Sequence, residues 1–135
     1  MYKRIMVPLD GSELAQSALS HAVELCRGLE ATLLLVYVRD PRAGSVEAAR
    51  RYLDFVRNQQ AASGVEIEIL VREGPVASVL IDVSEKERVD LIAMATHGRS
   101  GLQRVVYGSV AEQLLRSSTK PILLVRVAGA PVDDV

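Results

Sequence analysis

Five short apolar runs, separated by stretches with helical spacing, constrain the fold of this chain more than any other feature. The runs are residues 5–9, 32–38, 65–71, 89–94 and 122–125. Between them, apolar side chains recur every three or four residues, as they do on an amphipathic helix. Alternating strands and helices pack most simply as a parallel sheet with right-handed crossovers. The sequence therefore predicts one doubly wound α/β domain over residues 1–128, with a five-stranded parallel sheet, helices on both faces, and a short tail over residues 129–135.

The third run differs from the others because apolar and polar residues alternate along most of it. Val65, Ile67 and Ile69 alternate with Glu66 and Glu68. Such alternation indicates one wetter face, so we expect this strand at an edge of the sheet. Aromatic residues make up only 4% of the chain, and the core is therefore expected to be aliphatic.

A glycine-rich loop follows the fourth run, and most of the functional argument depends on it. The loop contains Gly98, Gly101 and Gly108, and Ser109 and Val110 come next at the predicted start of a helix. Glycines let a backbone approach a ligand closely, and a helix start offers unpaired N–H groups to an anion. We therefore predict that this loop binds phosphate.

Three side chains near this loop allow two interpretations each. Arg99 can add charge-assisted hydrogen bonds to a phosphate, or it can be plain surface charge. The Ser109 hydroxyl can donate to a phosphate oxygen, or it can cap the helix in an S-x-x-E capping box with Glu112. His97 has no Cys or Ser nucleophile in the motif, so a turn histidine is a simpler interpretation than a catalytic base.

Three predicted strand ends carry residues suited to a ligand pocket. They are Pro8, Leu9 and Asp10 at the end of the first strand, Val38 at the end of the second, and Met94 and Ala95 at the end of the fourth. In open α/β sheets, ligands bind at the carboxyl ends of strands, near the point where the strand order reverses. If strands one and four are neighbours there, these ends converge on one crevice. Asp10 would then accept hydrogen bonds from a ribose or adenine, or cap the first helix alongside Ser12.

Several function classes are disfavoured by what the sequence lacks. It has no G-x-x-x-x-G-K-[ST] of a P-loop NTPase, no G-x-G-x-x-G after the first strand and no G-x-S-x-G elbow. One cysteine and two distant histidines cannot assemble a zinc site with the usual spacings. A net charge of −1 argues against nucleic acid as a partner, and no apolar run is long enough to span a membrane. The unpaired Cys26 favours a reducing, cytoplasmic location.

These residues make the chain resemble the universal stress protein family over nearly its whole length. The resemblance rests on residues 5–12, 35–38, 94–102, 107–112 and 120–125. ATP-binding members of that family carry a glycine, two residues, a second glycine, nine residues, and then Gly-Ser or Gly-Thr. Gly98, the nine residues after it and Gly108-Ser109 match this spacing, while Ala95 stands in place of the first glycine.

The resemblance implies a strand order of 3-2-1-4-5, with ATP held between strands one and four. Asp10 and the backbone of Val38 would contact the nucleoside, and Met94 would line the same pocket. The phosphates, accompanied by Mg²⁺ or Mn²⁺, would be held by Gly98, Gly108, Ser109 and Val110. A homodimer is also implied, formed through the apolar last strand from Ile122 to Val127, because an exposed sheet edge can pair with its own copy.

The resulting hypothesis is an ATP-binding regulator in a stress response or in signalling, rather than a turnover enzyme. It is motivated by a phosphate loop without a base–nucleophile pair beside it. Two alternatives stay open. One is a nucleotide-free dimeric interaction module, and the other is a slow ATPase in which His97 or Asp10 assists a water molecule.

Overall fold

The computed structural model describes residues 1–98 and 108–128. Its strands are β1 (Arg4–Leu9), β2 (Thr32–Arg39), β3 (Ile67–Glu73), β4 (Leu91–Gly98) and β5 (Ile122–Ala128). Its helices are α1 (Glu13–Gln16), α2 (Leu19–Leu29), α3 (Val46–Gln59), α4 (Val76–Lys86) and α5 (Gly108–Ser117), with a short 3-10 helix at Ala61–Ser63. None of the helices within the described ranges is both long enough and apolar enough to cross a membrane.

The five strands form one parallel sheet in the order β3-β2-β1-β4-β5. This confirms the predicted fold class, the strand order, and the edge position of the third strand. The order reverses at β1, which pairs with β2 on one side and with β4 on the other. The carboxyl ends of β1, β2 and β4 therefore lie side by side, as a ligand crevice at the switch point requires.

Two aliphatic cores cover the two faces of the sheet. Alternate residues of a strand point to opposite faces. On one face Ile5, Val7, Leu33 and Leu35 pack with residues of α2 and α3. On the other face Met6, Leu34, Val36 and Ile92 pack with Leu80 of α4 and Leu114 of α5. Helices thus shield both faces, which explains why the central strands read as continuous apolar runs.

The first helical stretch is two helices instead of the single one predicted. The Ser12 hydroxyl caps α1 by accepting a hydrogen bond from the Ala15 N–H at 3.1 Å. Helix α1 ends at Ser17, whose hydroxyl donates to the Glu13 carbonyl oxygen at 3.0 Å. Serine hydroxyls that donate to the carbonyl oxygen four residues earlier often bend helices. The apolar periodicity continues past Ser17, and it therefore does not show where α1 ends and α2 begins.

The fourth strand is longer than its apolar run, which is a second correction. Pairing with β5 continues from Ala95, opposite Val125, to Gly98, opposite Ala128. His97 is therefore a strand residue and not the turn histidine that was predicted. Ser109 lies in the first turn of α5, which the structure describes from Gly108, and its capping box with Glu112 stays a prediction. Arg99, Gly101 and the tail over 129–135 lie outside the described residues.

Candidate functional site

A cavity of about 270 Å³ lies at the carboxyl ends of β1, β2 and β4. Seven of the twelve predicted site residues line it: Pro8, Leu9, Asp10, Val38, Met94, Ala95 and Val110. Gly98 ends β4, while Gly108 and Ser109 form the start of α5, the helix that also brings Val110 and Ala111 to the cavity. The remaining two predicted residues, Arg99 and Gly101, lie outside the described ranges.

The wall of the cavity is mainly aliphatic. Val36 and Val38 come from β2, Leu80 comes from α4 and Met94 comes from β4. Val36 and Leu80 are almost fully buried and belong to one of the two cores, so the wall is held by packing that the fold already needs. A rigid apolar wall of this kind suits a flat, weakly polar group such as a nucleobase.

Asp10 is the acidic residue that lines this cavity. It follows the last residue of β1, and its Oδ1 accepts a hydrogen bond from the Ser12 N–H at 2.9 Å. This local turn fixes the direction of the carboxylate. Asp10 is exposed as a residue, and its second oxygen accepts no hydrogen bond from the part of the chain that the structure describes.

The amino end of α5 supplies the cavity with backbone dipoles. The helix has ten residues, and its first turn contains no acidic side chain. Unpaired N–H groups and the helix dipole make such a helix start favourable for an anion. The geometry therefore combines an apolar wall, one oriented carboxylate and one helix start, which together suit a ligand with both a base and an anionic group.

Ala95 does not have a strained backbone, although it stands at a position where the resemblance places glycine. Within the described ranges, the residues other than glycine that have a positive φ are Glu30 and Arg88. Ala95 instead lies in β4, paired with Val125, and the residue lines the cavity. Alanine therefore carries no backbone strain at this position.

Some lining residues were not predicted from the sequence. They are Ser12, Leu14 and Ala15 from the α1 region, Val36 from β2, Val76 and Leu80 from α4, and Ala111 from α5. Val76 and Leu80 are four residues apart, so they share one helix face. That spacing also marks an ordinary core stripe, and the sequence contains no signal that separates the two uses.

Among residues 1–98 and 108–128, no group of three His, Cys, Asp or Glu side chains could hold a metal ion. Cys26 is buried in the core, and burial raises the pKa of its thiol to about 11. A buried thiol of this kind is neither a ready nucleophile nor a ready ligand.

The profile of the universal stress protein family matches residues 1–126. A universal stress protein of Methanocaldococcus jannaschii is 32% identical over an alignment of 141 positions, which covers 93% of this chain and 83% of the relative. Among solved structures, a member of this family from Burkholderia pseudomallei is 31% identical, with a TM-score of 0.73 over 92% of this chain and 96% of that one.

Two more distant solved structures share the fold and contain a nucleotide. One is a universal stress protein in complex with cAMP, with 22% identity and a TM-score of 0.76 over 93% of this chain and 97% of that one. The other is a family protein of Arabidopsis thaliana with AMP bound, with 17% identity and a TM-score of 0.70 over 97% of each chain.

Proposed function

The chain belongs to the universal stress protein family, and on that premise we propose that it binds ATP and acts as a nucleotide-dependent regulator of a stress response rather than as a turnover enzyme. The observation that carries the proposal is the cavity at the strand ends, where an aliphatic wall, the Asp10 carboxylate and the start of α5 meet. The nucleotides in the cAMP and AMP complexes of its structural neighbours support an adenine nucleotide as the ligand class.

The nucleoside end would lie against the aliphatic wall. Val38 and Met94 would sandwich the base, and the Val38 backbone would bond its polar edge. Pro8 and Leu9 complete this end, and Asp10 would accept hydrogen bonds from the ribose hydroxyls. A volume of about 270 Å³ is at the small end for ligand pockets, so the phosphates would extend beyond it toward the glycine loop.

The phosphates would be held by the strand-to-helix connection. Gly98 is the last residue of β4, and Gly108, Ser109 and Val110 open α5. Gly101 would allow the connection to approach the phosphates, and Arg99 would add a charge-assisted bond. Mg²⁺ or Mn²⁺ would bind mainly through phosphate oxygens and water, because among the described residues that line the cavity only Asp10 carries a carboxylate.

A matched pair of carboxylates tests this assignment. Asp10 and Asp40 each follow a strand, and each accepts a hydrogen bond from the backbone N–H two residues later at 2.9 Å. Only Asp10 lines the cavity. Asparagine keeps the oxygen that forms the turn but removes the charge. Asp10→Asn is therefore expected to weaken ATP binding about tenfold or more, while Asp40→Asn leaves the affinity for ATP unchanged. Isothermal titration of both variants decides this, and equal affinities would refute the role of Asp10.

We also propose a homodimer formed through β5, from Ile122 to Val127. This strand is one edge of the sheet, and its apolar residues Ile122, Leu123, Leu124 and Val125 are all partly exposed. An open apolar edge with unpaired N–H and C=O groups favours pairing with a second copy. Light scattering across a hundredfold range of concentration is expected to give twice the chain mass, and a constant monomer mass would refute the dimer.

The boundaries and location of the domain stay predictions. We propose that residues 1–128 form the nucleotide-binding domain, that residues 129–135 are a tail, and that the protein acts in the cytoplasm, where its single cysteine would stay reduced.

A further inference from the structure

The turn between β1 and α1 borders two cavities. Asp10 and Ser12 line the first cavity, in which we place the nucleotide. Gly11, which lies between them in the chain, lines a second cavity of about 230 Å³, whose lining includes Tyr37 and Tyr52. Both tyrosines pack against the core that contains residues of α2 and α3. The turn therefore has the proposed nucleotide site on one side and a pair of tyrosines on the other.

Local hydrogen bonds fix the Asp10 carboxylate within this turn, but they do not tie the turn to the sheet. Asp10 Oδ1 accepts from the Ser12 N–H at 2.9 Å, and the Ser12 hydroxyl accepts from the Ala15 N–H at 3.1 Å. Gly11 has a φ of +90°, and glycine adopts positive and negative φ with similar ease. A contact to the Gly11 peptide from the body of the domain would therefore set where the turn lies.

Tyr52 of α3 supplies this contact. Its hydroxyl oxygen is buried, and the Gly11 backbone N–H donates to it in a loose hydrogen bond. Burial, and then the charges of Asp10 and Tyr37, raise the pKa of Tyr52, while the bond from Gly11 acts in the opposite sense. The hydroxyl therefore stays protonated at neutral pH. It lies close enough to Asp10 to respond to the charge of the carboxylate.

Packing holds the Tyr52 side chain in place. Its ring lies edge-on against Tyr37, with 5.9 Å between centroids and 74° between planes, an arrangement that aromatic pairs favour. Tyr37 is opposite Leu9 in the register of β1 and β2, so the second ring belongs to the strand beside the end of β1. On the helix that carries Tyr52, Leu53 and Val56 are fully buried. The hydroxyl thus reaches the turn from a well-packed position.

We propose that Tyr52 is a positioning residue for the nucleotide site. It holds the Gly11 amide, keeps the Asp10 carboxylate aimed at the ribose, and so makes the site select nucleotides that carry both ribose hydroxyls. This inference rests on the proposed nucleotide function and deepens it. Tyr52 does not touch the ligand, because its hydroxyl oxygen is buried and it lines only the second cavity. Its effect is confined to the ribose, because the apolar wall comes from β2, α4 and β4.

The test is isothermal titration of the full chain with ATP and with 2′,3′-dideoxy-ATP, which lacks both ribose hydroxyls. The wild type is expected to bind ATP about tenfold more tightly than the dideoxy analogue. Tyr52→Phe keeps the ring and removes only the hydroxyl. It is expected to weaken ATP binding about fivefold and to leave the affinity for dideoxy-ATP unchanged. A merely structural role of Tyr52 would weaken both nucleotides alike.

Two further variants serve as controls. Tyr37→Phe removes the hydroxyl from the other ring of the pair and keeps the ring contact, and it is expected to bind both nucleotides as the wild type does. In an Asp10→Asn protein, the addition of Tyr52→Phe is expected to cause no further loss of ATP affinity, because the carboxylate that Tyr52 positions is already gone.

Hydrogen exchange of the Gly11 amide, followed by NMR in the free protein, tests the contact without any nucleotide. Exchange is expected to be faster in Tyr52→Phe than in the wild type. Unchanged exchange, an unchanged ratio of the two affinities in Tyr52→Phe, an equal loss in Tyr37→Phe, or a loss that persists beside Asp10→Asn would each overturn the role of Tyr52. A wild-type protein that binds neither nucleotide would instead refute the nucleotide function, and the role of Tyr52 with it.

Discussion

Gly74 holds the connection between β3 and α4 in a conformation that only glycine adopts easily. Its φ is +133°, and a Cβ atom placed there would lie 2.9 Å from Cγ2 of Val79. Val79 is β-branched and sits on a helix, so its side chain has little freedom to move away. The same connection leads into α4, which brings Val76 and Leu80 to the first cavity.

Gly74→Ala is therefore expected to destabilise the fold. Forcing alanine into this region of φ costs about 1–3 kcal/mol, and the close contact with Val79 adds to it. Reduced freedom of the unfolded chain returns about 0.4–1 kcal/mol, which leaves a net loss of about 2 kcal/mol. With a urea slope of about 2 kcal/mol/M, the midpoint of unfolding would fall by about 1 M.

Gly28→Ala is the matched control for this measurement. Gly28 lies in α2 and has no positive φ, and a Cβ atom there would meet nothing within 4 Å beyond its chain neighbours and the backbone of its own helix. Alanine is the better helix former, so this variant is expected to be more stable by about 0.5 kcal/mol. Urea unfolding followed by circular dichroism gives both values. A Gly74→Ala protein as stable as the wild type would refute the reasoning on its backbone.

Three further predictions concern the core, the buried thiol and one exposed carboxylate. Leu80 is 1% exposed, and it belongs to both the core and the cavity wall. Leu80→Ala is therefore expected to lower the free energy of unfolding in urea by about 3 kcal/mol and to weaken ATP binding in calorimetry. Cys26 is expected to resist a thiol reagent at pH 8 until the protein unfolds, since burial raises its pKa to about 11, and rapid native labelling would contradict this. The Arg42 backbone N–H, and then its side chain, lower the pKa of Asp40. NMR titration should therefore find the midpoint of Asp40 below the usual range for an aspartate. Any small stabilisation of the fold by the ionised Asp40 is present at neutral pH and should fade as the pH falls through that midpoint. Arg42→Ala should shift the midpoint upward.

The fold could be predicted because the strands and helices each carry a local pattern. Continuous apolar runs such as Leu33–Leu34–Leu35 mark strands covered on both faces, and the structure places Leu34 in one core and its two neighbours in the other. The alternation of Ile67 and Ile69 with glutamates marked the edge strand β3 correctly. These patterns reflect burial, which the sequence records directly.

The errors come from contacts that are distant along the chain or from local bonds that leave the periodicity unchanged. His97 belongs to β4 only because β5 continues to pair with it, opposite Val127. The break at Ser17 comes from a hydroxyl–carbonyl bond that apolar spacing does not record.

The candidate site was predictable in part for the same reason. Asp10, Val38 and Met94 stand at strand ends, and parallel strands bring their carboxyl ends to one edge. Val76 and Leu80 were missed because the helix residues that line a cavity have the same sequence spacing as those that pack into a core.

The most direct test of the central claim is to identify the nucleotide released when the freshly purified protein is denatured with acid. Chromatography and mass spectrometry are expected to find about one adenine nucleotide per chain, mainly ATP. Release of ADP in its place would favour the slow ATPase. A protein that releases nothing, and that also fails to bind added ATP in calorimetry, would contradict the account and favour a nucleotide-free interaction module.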